Sequence, residues 1–253
     1  MTFLQVLVPL LKSGAWLAPK LFESEREKRG PSFWKRMKLL YTSKRQLAST
    51  HVRVSISYLF RIRIDGRYLL VKGRRINQYQ PVGGVYKHDS QAVRDQFTKW
   101  DVREDEIMPI DIHSRDDLRV RVLGKNLIPF LNWFVSEKDR ETTQQREFQE
   151  ELVEPGYLSK AFATIDPRYL YTVWRPLTYS PHTQATELMV YQVFELKLTA
   201  AQEHELRHLQ LPASGELRWV TEEQIKRLGD DQFKHLDPFR IGQHACYLLS
   251  SEG

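Results

Sequence analysis

Glu147, Glu150 and Glu151 are the residues of this 253-residue chain whose type and spacing could do chemistry together. Offsets of three and one place them within one arc of a helix that turns about 100° per residue, so three carboxylates share one edge. Like charges that close repel, and such an edge is stable only when fully solvated or when a cation neutralises it. Mg²⁺ or Mn²⁺, hard ions that take oxygen ligands and bridge phosphate oxygens, are the expected occupants. An acidic helix edge on its own is more often a solvated surface than a metal site, so its neighbours decide.

Those neighbours supply the elements that such a site needs. Val52, Val54, Ile56, Tyr58, Phe60, Ile62 and Ile64 alternate with Arg53, Ser55, Ser57, Leu59, Arg61 and Arg63, the two-residue period of a long strand with one buried face. Asp65-Gly66 follows and then Tyr68 to Val71, so the dipeptide stands where a tight hairpin turn requires positive φ. In Gln80-Pro81-Val82-Gly83-Gly84-Val85-Tyr86 the paired glycine lets the backbone turn sharply or approach a ligand closely. Residues 87–145 break this rhythm, with a helical stretch from Ser90 to Trp100, the charged run Arg115-Asp116-Asp117-Leu118-Arg119, and an aromatic cluster of Phe130, Trp133 and Phe134. Gln144 to Leu152 reads as the helix bearing the glutamates, ended by Pro155-Gly156. Strands follow around Tyr169 to Trp174, Glu187 to Leu196 and Gly215 to Val220, and Thr221 caps a closing helix with Glu222 and Glu223 in its first turn.

Arg146-Glu147-Phe148-Gln149-Glu150-Glu151 resembles the core of the Nudix box, Arg-Glu-hydrophobic-any-Glu-Glu. With the hairpin at 52–71, the Gly83-Gly84 pair and Leu217-Arg218-Trp219-Val220-Thr221-Glu222-Glu223 in the family's order, the resemblance covers most of residues 52–230. It implies an α/β (α+β) fold: a Nudix-type mixed β-sheet sandwiched by helices over 51–253, with a long insertion inside the box at about 87–145 and a helical N-terminal arm over 1–50. It also implies Glu147, Glu150 and Glu151 as metal ligands and, with Arg146, as the catalytic set. Gly83 and Gly84 would then lie at the phosphates, Tyr86 (or Tyr79 or Trp174) would stack on a base, and Arg115 and Arg119 would clamp phosphate. For the aromatic residues core packing is the commoner role, and for the arginines a solvated ion-pair run. His113 and His182 are loop candidates for a proton-transfer role. The chain departs from the family pattern in three places. Ser90 stands where the box has a Glu six residues after the second glycine, Val153 replaces the later glycine, and Arg146 lies 56 residues beyond Ser90. A split box of this form is similar to the SMODS-associated Nudix domains, found beside cyclic-dinucleotide synthases of bacterial antiphage defence and expected to sense nucleotides or their derivatives.

Composition bounds the alternatives. Residues 1–50 carry ten Lys or Arg against three Asp or Glu, so the formal net charge of +6 belongs to the arm, and the remainder has a net charge of −1. A near-neutral main domain argues against extensive nucleic-acid contact and disfavours an RNA-binding or scaffold reading. The arm's apolar run from Phe3 to Leu11, interrupted by Pro9, is short for a spanning helix, and no signal peptide is expected. With the basic-aromatic stretch Phe33-Trp34-Lys35-Arg36 beyond it, the arm reads first as a helical extension docked on the main domain or a partner protein, and second as an anchor on a membrane surface. One cysteine, Cys246, leaves no intrachain disulfide, so a cytoplasmic location, on the inner face of a membrane if the arm binds there, is the expectation. Two functions follow: hydrolysis of a nucleoside-diphosphate-linked substrate, or non-catalytic sensing of a cyclic or linear oligonucleotide signal coupled to a membrane or effector.

Overall fold

The computed structural model describes residues 30–74, 76–105, 115–230 and 238–250. The apolar run of the arm and His113 lie outside the described residues. The fold is organised around β1 (His51–Arg61), whose neighbours on the two sides come from distant parts of the sequence. On one flank β10 (Ala185–Leu196) runs parallel to it over ten rungs, from Val52↔Thr186 to Arg61↔Glu195. The opposite flank is shared: β7 (Arg119–Leu123) pairs antiparallel with His51 to Ser55, and β5 (Gly83–Val85) pairs antiparallel with Ser57 to Leu59. β6 (Val102–Glu104) extends the sheet beyond β7, and β8 (Pro167–Trp174) extends it beyond β10, whose first residues also pair with β9 (Thr178–Ser180).

At Ile62 the chain leaves this sheet, so the single long strand read over 52–64 is two: Arg63–Ile64 (β2) pairs with β3 (Arg67–Lys72) in a second sheet completed by β4 (Tyr79–Pro81) and β11 (Leu217–Val220). The hairpin turn is as its sequence requires, with Asp65 at φ 48° and Gly66 at φ 79°, the two left-handed residues that match the twist of the flanking strands. The expectation of one buried face is corrected, because every residue from Val52 to Phe60 is buried. Val52, Val54, Ile56, Tyr58 and Phe60 face the main core. On the other face Leu59 joins Val173, Val193, Ala245 and Leu248, while Arg53 is held inside by Asp105 (2.5 Å) and Glu187 (3.0 Å). The polar half of the alternation therefore marks a second covered face on which a buried charge is matched by partners, the condition under which burial is tolerated.

The described residues of 87–145 pack onto the main domain. Their helices α2 (Ser90–Lys99, one residue shorter than expected) and α3 (Leu127–Ser136) pack through Phe97, Phe130 and Trp133, with Phe97 and Trp133 5.1 Å apart edge to face, and β7 completes the main sheet. Asp89 caps α2 by accepting from the Gln91 and Ala92 amides. The segment leaves and returns at one antiparallel stem: His88 bridges Arg140, Glu141 N–H donates to Lys87 O (2.8 Å), and Asp89 N–H donates to Asp139 O (3.0 Å). Near the C-terminus, Thr221 and Gln224 form a reciprocal cap on the short helix Glu222–Lys226. Among the described residues no helix is long and apolar enough to cross a membrane.

Candidate functional site

The glutamates lie on α4, which begins as an α-helix over Gln145–Phe148 and continues over Gln149–Val153 with wider π-type turns, closed by Glu154 N–H to Gln149 O at 2.8 Å. Its apolar face fixes it to β1: Phe148 is fully buried, 5.4 Å from Phe60 and 5.8 Å from Phe162, and Leu152 is buried beside them. The polar edge is thereby aimed at β5, the rung of the sheet that contains the glycine pair. An extra residue per turn is a recurrent feature of functional helices, and here it accompanies the step from Glu147 to Glu150 and Glu151.

Glu151 reaches the turn directly, its Oε2 accepting from Gly83 N–H at 2.9 Å. Glu147 lies across Gly84 so closely that a Cβ on Gly84 would stand 2.0 Å from Glu147 Oε1. Gly83, at φ 140°, has Tyr58 O only 2.2 Å from where a Cβ would be. The close approaches that require these glycines are thus made by the protein's own glutamate and strand. Arg146 is the hub: it donates to Glu147 Oε1 at 2.7 Å, to Val85 O at 2.9 Å and to Glu141 at 3.2 Å, with Glu150 Oε1 3.6 Å away. These contacts place Glu147, Glu151 and Arg146 together beside Gly83-Gly84, with Glu150 next to Arg146.

The other expected residues are placed differently. Tyr86 is only 1% exposed; its hydroxyl donates to Gln192 at 2.5 Å, and its ring lies against Tyr58 and Phe134 with the Arg140 guanidinium 5.0 Å from its centroid. Stacking of Tyr86 on a ligand base is therefore corrected: the ring is core, as are those of Tyr79 and Trp174. Arg119 pairs with Asp117 at 3.5 Å, and Arg115 is exposed, its carbonyl accepting from Lys87 Nζ.

Several residues at the site were not singled out by the sequence. Glu141 binds Arg146 and also accepts from Lys87 N–H at 3.2 Å, so it supplies the acidic partner for the box arginine that Ser90 does not. Its only sequence signal was an acid five residues before that arginine. Asp117, expected in a solvated ion-pair run, has a side chain only 8% exposed and bridges back to Lys87. The Tyr58 hydroxyl accepts from Glu147 N–H at 3.4 Å, and Arg74 reaches Glu150 O at 3.4 Å.

Burial dominates the electrostatics. It pushes the Glu151 carboxyl up to about 8, against the favourable Gly83 N–H, and raises Glu147 despite Arg146. It also raises Asp117 to about 7, partly opposed by Arg119 and Lys87. For Arg146 burial works against the charge, but Glu147 and Glu141 outweigh it and hold the guanidinium cationic. Among the described residues no three His, Cys, Asp or Glu are already gathered as a metal cluster. The donor set nevertheless fits a hard divalent ion, because Glu147, Glu150 and Glu151 offer oxygen donors and burial penalises ionisation of Glu147 and Glu151, a penalty that a cation relieves.

A family model described as SMODS-associated NUDIX domain matches residues 51–249. Comparison with curated proteins finds no match.

Proposed function

The chain belongs to the SMODS-associated Nudix family, and from that premise we propose that it is a metal-dependent hydrolase of a nucleoside-diphosphate-linked substrate, acting in bacterial antiphage defence. The observation that carries this reading is the convergence of two of the glutamates on the glycine turn, Glu151 hydrogen-bonded to Gly83 and Glu147 lying over Gly84, with Glu150 3.6 Å from the same Arg146 that holds Glu147. Glu150 and Glu151 would hold Mg²⁺ or Mn²⁺, and Glu147 would share in that set or take the proton of the attacking water. Such an ion, when bound, supplies Lewis-acid polarisation of the diphosphate. Arg146 keeps Glu147 oriented, and the buried faces of α4 and β1 hold the half-buried carboxylates in place. The test is incubation with a panel of nucleoside-diphosphate-linked compounds and Mg²⁺ or Mn²⁺, followed by product chromatography. Turnover that disappears in Glu150→Gln supports the hydrolase; turnover that survives it removes this assignment.

One observation favours a second reading, a sensor of a cyclic or linear oligonucleotide. Arg146 already engages Glu147 and stands 3.6 Å from Glu150, so the carboxylates are partly neutralised by the protein itself. A ligand that raises the melting temperature without product formation would select this reading.

The N-terminal arm fits a role in attachment to an anionic membrane surface. α1 (Phe33–Tyr41) leaves Phe33 and Trp34 65% and 62% exposed beside Lys35, Arg36 and Lys38, the pairing of aromatic and basic side chains that suits a headgroup layer. Full-length protein is expected to float with vesicles containing anionic lipid and to lose this on Phe33→Ser with Trp34→Ser. Equal recovery with and without lipid would remove the attachment.

A further inference from the structure

The helix Ala200–Arg207 and its C-cap carry the run His204-Glu205-Leu206-Arg207-His208. We propose that His204 and His208 form a zinc-binding site, a two-imidazole chelate for a borderline divalent ion that is separate from the hard-ion set on the glutamates of the box.

The helix is held so that this pair faces outward. Thr199 and Gln202 cap its start reciprocally, Gln202 Nε2 donates to Ala161 O at 2.9 Å, and Leu206 is buried in the core, so Gln202 and Leu206 define the inner edge. At about 100° per residue, His204 and His208 lie about 200° round from them on the opposite edge, and both are exposed. Four residues apart, the two rings meet, with centroids separated by 4.3 Å. His208 Nδ1 donates to His204 O at 2.8 Å, which keeps the proton on Nδ1 and the lone pair on Nε2. A backbone carbonyl that fixes tautomer and ring orientation in this way is the usual outer support of a metal-ligating histidine. The pair also stands at the C-terminal end of the helix, where the last carbonyls favour a cation. The nearby Arg207 cation is matched by Asp65 and Glu203.

The spacing His-Glu-any-any-His places two imidazoles on one helix face as ligands for zinc. Its glutamate is committed elsewhere: Glu205 accepts from Ser159 N–H at 2.5 Å and from the Ser159 hydroxyl at 2.7 Å. Glu205 therefore ties the helix to the Ser159 turn, and the site is a binding site with no carboxylate base. Among the described residues no third His, Cys, Asp or Glu joins the pair, so a tetrahedral ion would complete its coordination with solvent. Imidazole nitrogen suits Zn²⁺ and Cu²⁺, whereas oxygen donors suit Mg²⁺, so ion type separates this site from the box.

The test uses the full chain in excess Mg²⁺. Calorimetric titration with ZnCl₂ is expected to show one equivalent bound, and Cu²⁺ in its place should give an electron paramagnetic resonance spectrum split by two imidazole nitrogens. His204→Gln with His208→Gln, at exposed positions, should lose that splitting and weaken Zn²⁺ binding by about a hundredfold or more, while its melting temperature without Zn²⁺ stays close to that of the parent. Zn²⁺ should raise the parent's melting temperature more than the variant's. Binding that persists in the double variant and is lost in Glu150→Gln with Glu151→Gln would put the ion on the box and overturn the chelate. Absence of Zn²⁺ binding, or a Cu²⁺ spectrum with a single nitrogen, would overturn it as well.

Discussion

Glu151→Gln is expected to reduce turnover by about a thousandfold or more while making the protein more resistant to heat at alkaline pH, a combination that ordinary loss of a packed residue does not give. The two effects share one cause. The carboxyl is buried against the Gly83 amide, and its folded-state pKa of about 8 lies above the ordinary 4.5. The folded chain therefore holds this proton more tightly than the unfolded chain. The contribution to stability is fully present below pH 4.5 and is lost as pH rises through about 8. The total is on the order of 5 kcal/mol by linkage. Glutamine carries no ionisation and flattens this part of the profile. Thermal melts of both forms from pH 5 to 9 read it: the variant should gain on the parent as pH rises. Mg²⁺ should raise the parent's melting temperature more at pH 9 than at pH 5 and leave the variant unmoved. Parallel pH profiles for the two proteins would show that Glu151 is not the strained group described.

The two adjacent glycines should fail in different ways. Gly84→Ala places a methyl 2.0 Å from Glu147 Oε1 and 2.1 Å from its Cδ, atoms at the end of a side chain that can swing aside. The fold should survive with a melting temperature within a few degrees of the parent, because only a side-chain rotation and one ion pair are lost. Function should fall by about a hundredfold or more, because Glu147 leaves both the turn and the 2.7 Å contact with Arg146. Gly83→Ala meets the backbone instead: Tyr58 O at 2.2 Å, at a φ of 140° that alanine avoids. That strand cannot yield without breaking the β1–β5 rungs, so a loss of about 3 kcal/mol or more is expected. Circular dichroism melts and product formation, measured side by side, distinguish a displaced carboxylate from a damaged sheet. Equal loss of stability in both variants would contradict the geometry.

What the sequence disclosed was what local rules control. The Asp65-Gly66 turn, the Thr221 cap and the helix of Arg146 to Glu151 all follow from φ requirements, capping chemistry and spacing, and each stands where expected. The family's order of hairpin, glycine pair, box and closing strand was equally legible, because it is an order along the chain. What stayed hidden depends on contacts across long separations. The polar half of β1 looked solvent-facing because nothing local reveals that Arg53 meets Glu187, 134 residues away. Glu141 and Asp117 looked like ordinary surface acids because their importance comes from the stem that folds residues 87–141 back onto Lys87. Tyr86 follows a glycine pair, a position that invites a ligand, yet the hydrogen bond from Gln144 and the one it gives Gln192 draw it inward.

The parallel pairing of β1 with β10 has a consequence for synthesis. Strand His51–Arg61 leaves the ribosome long before its partner Ala185–Leu196, and until that partner arrives one whole side of the central strand has no hydrogen-bonding neighbour. The nascent chain therefore carries an open β-edge through the translation of more than a hundred residues, the interval in which wrong pairings and aggregation compete. Molecules truncated before Ala185 should consequently need chaperone protection rather than accumulate as a stable half-domain, and the acidic site should mature only after the chain has passed residue 196.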